Sequence, residues 1–157
     1  MIPDCRERDD ITVVGLAQPF NVNKGGVDGP AVWRRLAPHM DQIANRLGTH
    51  ALGVCEVVDQ TAGDFVYSPA VEVSAVTDLH DDLFAKVLKG GRFAVFNVKL
   101  TNSDIAAEIR RTYQYIYGPW VDENRSCLRD WFDFEYYDER FDRATLTGQV
   151  DIWVPVF

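Results

Sequence analysis

A chain of 157 residues with 46% hydrophobic and 25% charged residues is sized and composed for one globular domain with its own core. Its net charge of −8 excludes unassisted nucleic-acid binding, which needs a basic footprint, and weakly favours cations. The first eight residues lack the apolar stretch of a signal peptide, no apolar run is long enough to cross a membrane, and Cys5, Cys55 and Cys127 are widely spaced. A cytoplasmic protein without a disulfide framework is therefore expected.

In chain order, residues 11–17 are apolar and β-branched and predict a strand. A loop through Asn21, Asn23, Gly25, Gly26 and Gly29 follows, and Pro30 suits the first turn of a helix. Trp33, Leu36, Ala37, Met40, Ile43, Ala44 and Leu47 share one helical stripe, which places a helix over 31–47 with Gly48 as its stop. Strands are expected at 52–58 and 65–76, joined by a turn at 61–64. Residues 77–88 read either as a short helix carrying Leu79, Leu83 and Val87 or as a linker ending at Gly90 and Gly91.

The order then starts again. A strand is expected at 93–99, and Asn102, Ser103 and Asp104 offer helix caps. Ile105, Ile109, Thr112, Tyr113, Ile116 and Trp120 continue as a helical stripe, placing the helix near 103–117, and strands follow at 132–137 and 150–156. Arg92 follows Ile11 at the same interval as Asp151 follows Ala70, a sign of duplication. The expected fold is α+β: one domain of two pseudo-repeats, about 10–78 and 90–157. Their β-α-β-β units build one curved antiparallel sheet, with the helices on one face and a ligand cleft between the halves.

The stretch from Asp133 to Phe141 holds the leading site candidate. Strand alternation sets Asp133, Glu135 and Tyr137 on one face and Phe134 and Tyr136 on the other. In a pocket, Glu135 needs a compensating charge, since burial disfavours a bare carboxylate and a cation restores it. Outside a pocket, Glu135 reads as a solvated edge-strand residue or a partner of Arg140. Trp33, Tyr67, Phe96, Tyr113, Trp120, Tyr137 and Trp153 are candidate walls, because flat rigid rings suit planar ligands; each also suits core packing. Trp153 alternates with Ile152 and Val154, so it faces away from their layer, on the side of Asp151. The glycines at 25–29 do not match a dinucleotide or phosphate loop. His39, His50 and His80 do not fall at metal-ligand spacing with the cysteines, and His39 reads as a surface residue. No metal and no cofactor is expected.

Several segments taken in order resemble the GyrI-like small-molecule-binding domain, the effector-binding module of AraC-type and MerR-type regulators. They are Val32-Trp33-Arg34-Arg35-Leu36, Phe65-Val66-Tyr67 with Val71-Glu72-Val73, and Gly91-Arg92-Phe93-Ala94-Val95-Phe96. They continue with the run from Thr112 to Trp120, then Phe134-Glu135-Tyr136-Tyr137, then the run from Val150 to Pro155. The resemblance implies a cleft between two β-α-β-β units and a buried Glu, here Glu135, that meets cationic or aromatic drugs. It places Tyr137 and Trp153 at aromatic wall positions. Asn97-Val98-Lys99-Leu100-Thr101 stands where family members often carry a His-x-Gly run. The sequence leaves no room for the helix-turn-helix of the regulators, so a stand-alone module without direct DNA binding is expected, with a DNA-binding or enzyme partner supplied in trans, or a homodimer. The implied function is binding of cationic, amphipathic or aromatic small molecules. Two alternatives are a hydrolase of cyclopropane-type reactive compounds with Glu135 as general base, and an inhibitor of a partner such as gyrase.

Overall fold

The computed structural model describes residues 1–101 and 104–157. Among them are the strands β1 (Asp4–Arg8), β2 (Ile11–Gly15), β3 (Gln18–Asn21), β4 (Ala51–Asp59) and β5 (Asp64–Glu72). The remaining strands are β6 (Phe84–Leu88), β7 (Gly91–Leu100), β8 (Phe132–Tyr137), β9 (Phe141–Asp142) and β10 (Thr147–Val156). Helices α1 (Gly29–Met40) and α2 (Ile105–Tyr115) carry the two apolar stripes, and a π-helical turn at Ile116–Trp120 joins α2 to the short α3 (Val121–Asn124).

The strands form one antiparallel sheet in the order β1-β7-β10-β8-β4-β5-β2-β6, with β3 added to β5 and β9 to β10. The expected repeat is present as β2-α1-β4-β5 and β7-α2-β8-β10. The halves meet where β4 runs antiparallel to β8, with Ala51, Gly53 and Cys55 opposite Tyr137, Glu135 and Asp133. This seam positions the site.

One face of the sheet buries Ile11, Val13, Leu52, Val54, Phe93, Val95, Phe134 and Trp153 in a single cluster. That cluster joins β2 to β7, which lie toward opposite ends of the strand path, so the sheet curls around this face into a half-barrel. The helices cover the other, outer face. α2 packs Ile105, Ile109 and Tyr113 onto Phe96, Val98 and Ile152, while α1 packs Val32 and Leu36 beside Leu16 and Tyr67. Each large apolar side chain fully buried in these clusters contributes roughly 1.5–3 kcal/mol.

Helix starts follow the sequence. Asp28 accepts from the Ala31 N–H at 3.0 Å with Pro30 in the first turn, and Asp104 accepts from the Ala107 N–H at 3.1 Å. Asn102 and Ser103 lie outside the described residues. Other boundaries differ from expectation. α1 stops at Met40, two residues past Pro38, rather than at 47. Asn45 takes a left-handed φ of 61°, and Arg46 then bridges to Val73. Ile43 still packs into the same clusters as Met40, so the apolar spacing outlasts the helix. The segment 77–88 ends in β6, which pairs with β2, rather than in a helix. Residues 4–8, which carry no apolar pattern, form β1 on the outer edge of β7. No helix of the described residues is long and apolar enough to cross a membrane.

Candidate functional site

On β8, the period-two alternation turns Asp133, Glu135 and Tyr137 toward the helices and Phe134 toward the half-barrel interior. Glu135 is 5% exposed and Asp133 4%. Glu135 Oε2 accepts from the hydroxyls of Tyr137 at 2.8 Å and Tyr67 at 3.0 Å. Tyr67 Oη in turn accepts from Trp33 Nε1 at 2.9 Å, which ties α1 to the acid through β5. Asp133 accepts from Tyr113 Oη at 2.8 Å and from Tyr117 Oη. Tyr113 and Tyr117, one helical turn apart, stack with centroids 6.2 Å apart and planes within 10°.

Gly53 leaves the space these groups occupy. A Cβ there would lie 2.5 Å from Glu135 Oε2 and 2.6 Å from Tyr67 Oη. Cys55, opposite Asp133, is half-buried, and its thiol is pushed up by desolvation and by the neighbouring acids, so it stays protonated.

Burial pushes the Glu135 carboxyl up to about 7 and that of Asp133 to about 6, against the pull of their hydroxyl donors. Burial and the acids hold the hydroxyls of Tyr67, Tyr113, Tyr117 and Tyr137 above their ordinary range, so all four remain donors. Among the described residues, no Lys, Arg or His forms an ion pair with Glu135 or Asp133. Arg140 turns instead to Asp138 and Asp151. The site is thus two acids, four phenols and one indole, with no cation of its own.

Five of the expected site residues, Glu135, Tyr137, Tyr67, Trp33 and Tyr113, come together. Trp33 meets Tyr137 edge to face, with centroids 5.6 Å apart. Phe96 and Trp120 lie on the same face but pack against each other in the core beneath α2. Trp153, expected on the ligand wall, lies on the opposite face of the sheet from Glu135. The register sets it opposite Phe134, on which it stacks at 5.7 Å inside the half-barrel, facing away from Glu135. Its alternation with Ile152 carries the reason, since Ile152 is the residue that stands opposite Glu135.

Asp133, Tyr117, Gly53 and Cys55 complete the site without having been singled out for it. The alternation on β8 pointed to Asp133, and the four-residue spacing from Tyr113 pointed to Tyr117. Nothing in the sequence marks Gly53 as the residue opposite Glu135. His39 and His80, neither of which falls at metal-ligand spacing with a cysteine, face each other at 4.6 Å. A cleft of about 430 Å³ beside the site is lined by Ala37, Met40, Arg46, Tyr137, Phe141 and Arg143, among others. It touches Tyr137 but does not reach Glu135, which is closed over by the helices in this state.

The chain belongs to the GyrI-like small molecule binding domain family, whose model matches residues 1–156. It is 29% identical over 154 residues to the transcriptional regulator BrlR of Pseudomonas aeruginosa, covering 96% of this chain but 54% of BrlR. The chain thus spans about half the length of that relative. Among solved structures, SAV2435 bound to tetraphenylphosphonium superposes with a TM-score of 0.78 at 16% identity, covering 100% of this chain and 94% of that one. The EcmrR C-terminal domain gives 0.66 at 14% identity, covering 98% and 96%. At these identities the likeness is one of fold.

Proposed function

We propose that this chain binds lipophilic aromatic cations, with Glu135 as the charge partner and Asp133 as its reserve. Tyr67, Tyr137, Trp33 and Tyr113 would form the walls. The observation that carries this reading is the pair of buried carboxylates with no cation among the described residues. A buried charge is costly unless paired, so each acid must hold a proton or await a positive group. A cation set against these rings gains Coulomb energy from the acid and about 2 kcal/mol from a desolvated cation–π contact. SAV2435, which shares the fold, was solved with a ligand of this chemistry. Because Glu135 is closed over, entry would part Trp33 on α1 from the Tyr113–Tyr117 stack, while the strand ladder beneath stays fixed. Phe96 and Trp120 would support α2 without meeting the ligand. With a net charge of −8, this domain would not itself grip nucleic acid.

A carboxyl held at about 7 also suits a general base, which favours hydrolysis of a bound reactive compound as a second reading. Binding without bond cleavage, followed over hours by mass spectrometry, separates the two.

The test is a Trp fluorescence titration with tetraphenylphosphonium and with neutral triphenylphosphine oxide. The wild type should prefer the cation. Glu135→Gln should weaken the cation by roughly 1.5–3 kcal/mol, about 10- to 150-fold, and leave the neutral compound nearly unchanged. Equal losses for both compounds would return Glu135 to a purely structural role.

A further inference from the structure

At the far end of α1 lies a second cluster, unused by the acid site. His39 stands in the last turn of α1, and His80 and Asp82 stand in the connection from β5 to β6. The imidazoles face each other with centroids 4.6 Å apart and planes tilted by 49°. His80 Nδ1 is 3.6 Å from Asp82 Oδ2. One ligating atom from each of the three residues lies within 4.8 Å of the other two.

The backbone holds this arrangement. Leu79 and Leu83 flank the cluster and pack, as Met40 and Ile43 do, against Val14, Ala51, Val71 and Val73, and the Leu83 N–H donates to the His80 carbonyl at 2.9 Å. The connection is thereby seated on the end of α1. Two nitrogen donors and one oxygen donor are the set that Zn²⁺, Co²⁺ and Ni²⁺ accept. With bonds of about 2.0–2.1 Å, tetrahedral donors sit roughly 3.3 Å apart, within reach by small rotations of the half-buried His39 and the exposed His80 and Asp82. Asp41, Asp78 and Asp81 on the same two segments add favourable negative potential. The ion competes with one contact, the bond from the Asp82 N–H to His80 Nδ1 at 3.2 Å, which is exposed and contributes little.

We propose that His39, His80 and Asp82 form a divalent transition-metal site that staples the end of α1 to the β5–β6 connection. Each imidazole supplies one nitrogen and Asp82 one carboxylate oxygen, with water completing the shell. Because α1 carries Trp33, the staple also steadies the indole over Tyr67. This inference does not depend on what the acid site binds.

The test uses untagged, chelator-stripped protein titrated with Co²⁺, followed by visible d–d absorption, with Zn²⁺ as competitor. Hydrogen exchange is measured over residues 36–41 with and without Zn²⁺. The wild type should bind one Co²⁺ at micromolar concentration, Zn²⁺ should displace it, and exchange at the end of α1 should slow several-fold. His39→Ala and His80→Ala should each weaken binding at least tenfold and abolish the slowing. Cys5→Ser and Cys127→Ser, at exposed positions, should bind as the wild type does. Unchanged binding in the His39→Ala/His80→Ala double variant, or no Co²⁺ bands at millimolar metal, would overturn the site. Binding without slowed exchange would overturn the staple.

Discussion

Two buried carboxylate clusters lie back to back on β8 and β10, and they are compensated in opposite ways. On the half-barrel side, Asp151, 1% exposed, is held by Arg140 at 2.7 Å, Arg6 at 3.7 Å and the Asn97 amide at 2.8 Å. Nearby Glu72 likewise takes Arg8 and His50, each at 2.7 Å. On the helix side, Glu135 and Asp133 are nearly as deeply buried yet, among the described residues, receive only phenolic hydroxyls. The fold supplies guanidinium groups to an acid one strand away and withholds them here. A hydroxyl orients a carboxylate and lowers its proton affinity somewhat, but it does not neutralise charge. What remains is a deficit of positive charge, met by a proton in the free protein and, in our reading, by the ligand.

The largest expected effect tests the compensated side. Arg140→Ala leaves Asp151 buried with only Arg6 and Asn97, and should destabilise the fold by about 3 kcal/mol in urea unfolding near neutral pH. A change under about 0.5 kcal/mol would break the comparison, since Asp151 would then need its arginine no more than Glu135 does.

The next effect is opposite in sign. The folded carboxyls of Glu135 and Asp133 sit at about 7 and about 6, above their unfolded values of 4.5 and 3.8. The stability they contribute is complete below those unfolded values and is lost as pH rises through the folded ones. Glu135→Gln removes the larger loss. Relative to wild type, it should be stabilised by on the order of 2–3 kcal/mol at about pH 8 and hardly at all at about pH 4. A difference that stays constant with pH would show that Glu135 is not titrating in this range.

Two smaller effects sharpen the picture of the uncompensated side. Gly53→Ala drives a methyl into Glu135 and Tyr67 and should cost about 1–3 kcal/mol in thermal unfolding. Tyr67→Phe removes one donor from Glu135 and the acceptor of Trp33 Nε1. It should cost about 1 kcal/mol and shift the Trp emission, whereas an unshifted spectrum would mean that the indole is not held by this bond.

The six strands of the repeat were legible from their apolar, β-branched runs, and the acid-bearing face from the period-two alternation that survives in β8. The end of α1 was not, because Ile43 keeps the apolar spacing of a helix while packing from a turn. β1 carries Asp-Cys-Arg-Glu-Arg, a mostly exposed edge that pairs through its backbone and shows no apolar pattern. Trp153 shows how register arbitrates between two signals. Alternation alone set it beside Asp151 and against Ile152, while the family resemblance set it on the ligand wall; pairing with Phe134 decides for the former. That no cation of the described residues pairs with Glu135 had no sequence signal, since Arg140 lies five residues away and is drawn off to Asp138 and Asp151.

The central claim, that a ligand cation replaces a proton at the buried acids, is tested most directly by calorimetric titration with tetraphenylphosphonium in buffers of different ionisation enthalpy. At about pH 6, where Glu135 still holds its proton, binding should release close to one proton per ligand, falling toward zero by about pH 8.5. In Glu135→Gln the release should shrink to the fraction that Asp133 supplies. Tight binding with no proton released between about pH 5.5 and 8 would contradict the account.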